Sequence, residues 1–135
     1  MKALIDTNVL LDVLCARQEF LPASSKIWKM AEIGKLDGCI SALSIPNIVY
    51  ILRKELDPEK TKEIIDRLMF IFEVVELRPD DLKKAAAMGS SDFEDAVQMV
   101  CAARIHANFI VTRNIRDFTG SPVPAVKPSE LLDRI

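Results

Sequence analysis

The sequence predicts an α/β fold, a mostly parallel central sheet flanked by helices on both faces. Short apolar runs alternate with longer segments of helical periodicity along the whole chain, the pattern of strands joined by crossover helices. Such alternation of strands and helices is the signature of a parallel sheet covered on both faces. Hydrophobic residues make up 50% and charged residues 28% of 135 residues, a globular balance in a chain long enough to bury a real core. No internal repeat, low-complexity segment or linker interrupts the pattern, so 1–135 reads as a single domain.

Lys2–Ile5 is an apolar run ending at Asp6, a buried strand by its composition. Asp6, Thr7 and Asn8 are all good helix N-caps, and Val9–Leu14 continues as a helix behind them. Between Ser24 and Gly34, the residues Ile27, Trp28, Met30, Ala31 and Ile33 recur at helical spacing, with Gly34 as the stop. Cys39–Ile40 is a brief second strand. Ser44 is placed to cap the next helix, which tolerates Pro46 in its first turn and runs through Ile48, Val49, Ile51 and Leu52.

Asp57-Pro58 starts a helix with Ile64, Ile65, Leu68, Met69 and Ile71 on its inner face, and Val74–Leu77 is a third strand. A helix follows from Pro79 to near Gly89. Ser91 has the capping-box spacing to Glu94 and opens a helix that is apolar nearly all round, hence central. Phe109–Thr112 is the next strand. The turn-rich stretch Gly120 to Pro128 holds a short strand at Ala125–Lys127 before a last helix.

Several function classes are excluded by composition. The longest apolar runs, such as Leu68–Phe72, are far too short to span a bilayer. The N-terminus carries one lysine and reaches Asp6 at once, unlike a signal peptide, so a cytoplasmic location is expected. Cys15, Cys39 and Cys101 stand alone without a Cys or His partner at ligand spacing, which argues against zinc and against a disulfide framework. They read as small buried hydrophobes. The single His106 ends an apolar stretch and reads as a helix-end residue. A net charge of −2 argues against binding nucleic acid by overall charge, but not against holding it through a metal and a few arginines.

In an open α/β sheet the ligand site lies outside the carboxyl ends of the strands. Asp6 follows the first strand immediately, and Asp117 lies in the loop after Phe109–Thr112. Asp92 and Asp95 open the buried helix, and their spacing of three puts both on one face, with Glu94 directed elsewhere. Carboxylates converging without histidine or thiolate suit Mg²⁺ or Mn²⁺, and such a site is built for metal-dependent hydrolysis of a phosphodiester. Each acid also has an ordinary explanation. Asp6 serves as an N-cap, Asp92 and Asp95 complement a helix dipole, and Asp117 makes a local turn. Spacing alone leaves these alternatives open.

Three segments, Leu4-Ile5-Asp6-Thr7-Asn8-Val9-Leu10-Leu11-Asp12, Asp92-Phe93-Glu94-Asp95-Ala96 and Val111-Thr112-Arg113-Asn114-Ile115-Arg116-Asp117-Phe118, resemble the PIN domain (PilT N-terminus) family in order and spacing. The resemblance spans nearly the whole chain. It implies a Rossmann-like three-layer sandwich and a Mg²⁺- or Mn²⁺-dependent ribonuclease of the VapC-like toxin type, often dimeric and partnered by an antitoxin protein. On this likeness Asp6 and Asp95 match metal ligands, Asp117 an acid that helps hold metal or its waters, and Asp92 an outer acid one turn earlier. Asn8 and Thr112, with the neighbouring Asn114, match small polar positions that orient carboxylates. Arg113 and Arg116 are candidates for phosphate contacts with an RNA substrate.

One segment departs from the family pattern. Ser41-Ala42-Leu43-Ser44-Ile45-Pro46-Asn47 aligns where many PIN nucleases carry a glutamate, and here Asn47 stands at the acidic position. Its amide can serve as a neutral ligand or bond a metal-held water, and Glu55 is about two turns too far along to replace it. Two further readings therefore stand beside the nuclease: a degenerate PIN domain that binds RNA or a protein without cutting, and a haloacid-dehalogenase-type phosphatase. The last needs a second acid two residues after Asp6, where this chain has Asn8. Trp28 with Lys26, Lys29, Arg53 and Lys54 reads either as a partner or RNA groove or as solvated helix faces around a core tryptophan.

Overall fold

The computed structural model describes residues 1–135. Strands β1 (Lys2–Ile5), β2 (Asp37–Ser41), β3 (Glu73–Val75), β4 (Phe109–Val111) and β5 (Ala125–Val126) form one sheet in the order β3-β2-β1-β4-β5. Every neighbouring pair is parallel. Seven helices connect and flank them: α1 (Thr7–Leu14), α2 (Leu21–Glu32), α3 (Ser44–Ile51), α4 (Pro58–Ile71), α5 (Pro79–Ala87), α6 (Phe93–Arg104) and α7 (Pro128–Leu132), with a 3₁₀ turn at Ile115–Phe118.

The period-2 geometry of β1 divides the interior into two cores. Ala3 and Ile5 pack with Leu10, Trp28, Ile48, Leu68 and Leu131, that is, against α1, α2, α3, α4 and α7. Leu4 turns the other way and packs with Ala85 of α5 and with Ala96, Val97 and Cys101 of α6. Three layers result, as the α/β pattern predicts. The chain winds outward from β1 to β3 on one side, then crosses back through α5 and α6 to β4. This reversal beside β1 is where an open parallel sheet leaves a crevice at its carboxyl edge.

Local chemistry departs from the sequence expectations at several places. Helix α2 starts at Leu21 rather than Ser24, because Pro22 fits the first turn without needing an N–H partner. Ser44 is not the cap of α3: Leu43 is, and the Ser44 hydroxyl is used instead in a buried 2.7 Å hydrogen bond with Thr7. At α6 the cap is Asp92, whose carboxylate accepts from the Asp95 N–H at 3.1 Å, in place of the expected Ser91–Glu94 box. On α4 only Leu68 is fully buried, with Ile64 and Ile71 packed beside it, while Met69 is 57% exposed. The stripe 64, 68, 71 is one helix face, and Met69 lies a residue off it.

Trp28 is a core residue, edge-on to Phe72 with ring centres 5.2 Å apart, so it lines no groove. His106 follows α6 in a left-handed conformation (φ 55°), a helix-end residue as expected. Cys39 and Cys101 are buried, but Cys15 is exposed just beyond α1. Burial and the adjacent carboxylates of Asp37 and Glu73 push the Cys39 thiol up to about 12. No helix is long and apolar enough to cross a membrane.

Gly38 shows how tightly β2 is seated. A Cβ there would lie 2.9 Å from Phe72 Cδ1 and 3.0 Å from Ala31 Cβ, between two buried side chains. Gly38→Ala should therefore destabilise the fold by about 1–3 kcal/mol through overpacking, seen as a lower urea midpoint at unchanged slope.

Candidate metal centre

Asp6 leaves the end of β1 and is only 5% exposed. Its backbone N–H still donates to Val111 O at 2.9 Å, so the β1–β4 ladder fixes its position. Both carboxylate oxygens are engaged: Oδ1 accepts from Gln98 Nε2 and Oδ2 from Thr112 Oγ1, each at 2.9 Å. The Thr112 hydroxyl in turn accepts from the Asn114 N–H at 3.1 Å, so the loop after β4 is folded onto the same carboxylate. Burial pushes Asp6 above the ordinary carboxylate value, against the lowering effects of Gln98, Thr112 and Arg113.

Asp6, Asp92, Glu94, Asp95 and Asp117 line one cavity of about 240 Å³, together with Thr7, Asn8, Leu11 and Ile51. No lysine, arginine or histidine lines it. The acids predicted at one helix start and two strand ends thus line one cavity at the reversal point of the sheet. Glu94 was not expected among them. Because Asp92 is the cap, with extended backbone, the helical face count starts one residue later than the Asp92–Asp95 spacing assumes. Asn47 then donates from Nδ2 to Glu94 Oε1 at 2.6 Å, holding that carboxylate at the rim.

Other candidates lie as follows. Asn8 lines the cavity. Asn114 contributes its backbone to Thr112, and its side chain lines a neighbouring cleft. Arg116 is exposed in that cleft beside Asp117. Arg113 is turned inward: its Nε lies 2.9 Å from Asp12 Oδ2, and its guanidinium stacks 3.9 Å from the Phe20 ring centre. Asp12 is fully buried and also accepts from Ser24 Oγ at 3.1 Å. Gln98 and Asp12 carry no motif of their own. Their only sequence signal is a polar residue inside an apolar helical stripe, and for Gln98 a spacing of three from Asp95.

The donor set answers whether a cation fits. All the donors are hard carboxylate or amide oxygens, the ligands of Mg²⁺ and Mn²⁺ rather than of softer metals. Without such an ion the cluster opposes its own ionisation. Burial, then the charges of Asp92, Asp6, Asp117 and Glu94, push Asp95 up to about 7, and burial with Asp92 raises Glu94 as well. The residues present therefore fit a divalent cation, which would relieve that repulsion.

The raised Asp95 gives a stability test with a definite sign. A carboxyl that ionises near 3.8 when unfolded and near 7 when folded favours the folded state at low pH, and that contribution is lost as pH rises through 7. In chelator the protein should melt at a lower temperature at pH 8 than at pH 6, and millimolar Mn²⁺ should abolish the difference. Replacing Gln98 with leucine keeps the volume but removes the donor to Asp6, and should weaken Mn²⁺ binding by about 10–100-fold in calorimetry.

The chain matches a toxin–antitoxin complex from Klebsiella pneumoniae at 20% identity and TM-score 0.68, covering 93% of this chain and 97% of that one. DNA-bound VapBC from Salmonella typhimurium matches at 18% identity and TM-score 0.70, covering 95% and 98%. VapBC2 from Rickettsia felis, bound to a promoter DNA fragment, matches at 15% identity and TM-score 0.69, covering 94% and 98%. These likenesses establish a shared fold. No protein of curated function matches the sequence. The PIN domain family model matches residues 2–116, which include Asp6, Asp92, Asp95, Thr112 and Arg116, and the chain belongs to the PIN domain family.

Proposed function

We propose that this protein is a Mg²⁺- or Mn²⁺-dependent endoribonuclease and the toxin of a toxin–antitoxin pair. One observation carries the reading: five carboxylates from three separate segments line a single cavity that holds no basic side chain. A structural role for each acid alone gives no reason for them to converge, since each pays repulsion for the company of the others.

The residues divide the work. Asp6 and Asp95 are the principal ligands, with Asp117 and Asp92 beside them. Gln98 and Thr112 hold the Asp6 carboxylate in one orientation, leaving its remaining lone pairs for the cavity. Asn47 does the same for Glu94, so the acid absent from α3 is replaced by one delivered from α6. When bound, the divalent ion supplies charge neutralisation and Lewis-acid activation to hydrolysis of a P–O bond. Asn8 at the cavity wall offers an amide to the ligands or to the phosphate.

An antitoxin partner is supported by the toxin–antitoxin assemblies among the similar folds. It is also supported by exposed apolar side chains on α3 (Tyr50, Ile51) and α4 (Met69, Phe70), Phe70 being 90% exposed. A homodimer and a cytoplasmic location complete the proposal. The second reading, an RNA- or protein-binding PIN domain that does not cut, is favoured by the single observation that Asn47 stands where an acid is usual.

Calorimetric titration of Mn²⁺ into the parent, Asp6→Asn and Asp95→Asn proteins separates the two. Binding by the parent that disappears in both variants, with RNA cleavage that disappears alongside, is the expected result. RNA binding indifferent to chelator, with no cleavage by the parent, would establish the non-cutting reading instead.

A further inference from the structure

Three concavities on this edge share walls. The acid cavity and a cleft of about 580 Å³ share Asp117. That cleft, lined by Arg113, Asn114, Ile115, Arg116, Asp117 and Lys127, shares Arg113 and Lys127 with a further pocket of about 240 Å³. The last pocket contains Phe20 with the Arg113 guanidinium stacked on it, with Ser24 and Ser129 and one acid, Glu19, on its wall.

Charge along this path is sharply divided. Arg113 is paired with the buried Asp12, which Arg17 also contacts. Arg116 and Lys127 are exposed and form no ion pair with any carboxylate of the protein. With no carboxylate of the protein holding them, both cations are open to a ligand in the cleft beside the five acids. Both line the cleft that adjoins the acid cavity at Asp117, where a ligand with a repeating negative charge would meet two cations in succession. The terminal aromatic ring and stacked guanidinium are surfaces that receive an unstacked base. A duplex would keep its bases paired and leave that pocket unused.

We infer that the path from Asp117 through Arg116 and Lys127 to the Phe20–Arg113 pocket is the track that holds a single-stranded RNA next to the bond being cut. This rests on the nuclease reading. Arg116 and Lys127 contact consecutive phosphates on one side of the acid cavity, and Arg113 is a wall of the base pocket rather than a phosphate anchor. Lys127 is placed for this by β5, which brings the residue after Val126 beside the loop that follows β4.

The test is binding of a fluorescent oligouridine of about twelve nucleotides, followed by anisotropy in chelator across a range of KCl. The Arg116→Ala/Lys127→Ala protein is compared with the parent and with Lys60→Ala/Lys83→Ala, which removes the same charge from exposed positions on α4 and α5. The track predicts roughly tenfold weaker binding for the first double variant only, with a log–log salt dependence shallower by about 1.4. Mn²⁺ affinity should not fall, which keeps the result separate from damage to the acid cavity. Equal loss in both double variants, or none in either, would overturn the track. Cleavage in Mn²⁺ is read in parallel: selective loss of binding by a parent that never cuts would support the track and count against the nuclease reading.

Discussion

The buried carboxylate of Asp6 is the constraint on which the rest of the site depends. A charge at this depth is costly unless each oxygen is satisfied, and two donors from distant parts of the chain supply that satisfaction. Gln98 comes from α6 on one face of the sheet, and Thr112 from the end of β4 beside it. Because both converge on one group, α6, β1 and β4 are registered against each other by polar contacts as well as by packing. The direction of α6 then delivers Asp95 and Glu94 to the same cavity, and the Thr112–Asn114 bond turns the following loop so that Asp117 closes it.

A second buried acid reinforces this frame without joining the cavity. Asp12 is fully enclosed, ties α1 to α2 through Ser24, and faces the Arg113 guanidinium that follows Thr112 directly. The loop carrying Thr112 is therefore held at two successive residues, one by a carboxylate of the cavity and one by a carboxylate behind it. Removing one partner of a buried charge pair costs far more than the pair contributes, so such an arrangement is strict about what it accepts. The electrostatic result is an acid cavity with no internal cation, bordered on one side by unpaired basic residues. Within the cavity only a proton or an external cation relieves the repulsion, and the raised Asp95 and Glu94 are the measure of it.

Much of this was legible in the chain. Apolar runs such as Lys2–Ile5 and Phe109–Val111 identify parallel strands because strands buried on both faces admit almost no polar residue. Asp6 and Asp117 point to the site because acids at the carboxyl ends of strands have a structural reason to be near one another. Less was legible in the caps. Ser44 and Ser91 have the chemistry of N-caps, yet Leu43 and Asp92 occupy those places, since the hydroxyl of Ser44 finds a better buried partner in Thr7. Cap propensity is worth only about 1 kcal/mol, and tertiary contacts of similar size override it.

By itself the sequence determined the α/β class, the parallel sheet and the four aspartates at its edge, because hydrophobic periodicity and residue chemistry are local properties. Only the tertiary structure decided that Glu94 joins the aspartates through Asn47, that Gln98 supports Asp6, and that Arg113 turns inward to Asp12 while Arg116 and Lys127 stay free. These are relations between residues as far as 106 positions apart, as the Thr112–Asp6 bond is. No local pattern records them, since they follow from which strands become neighbours when the chain reverses across β1.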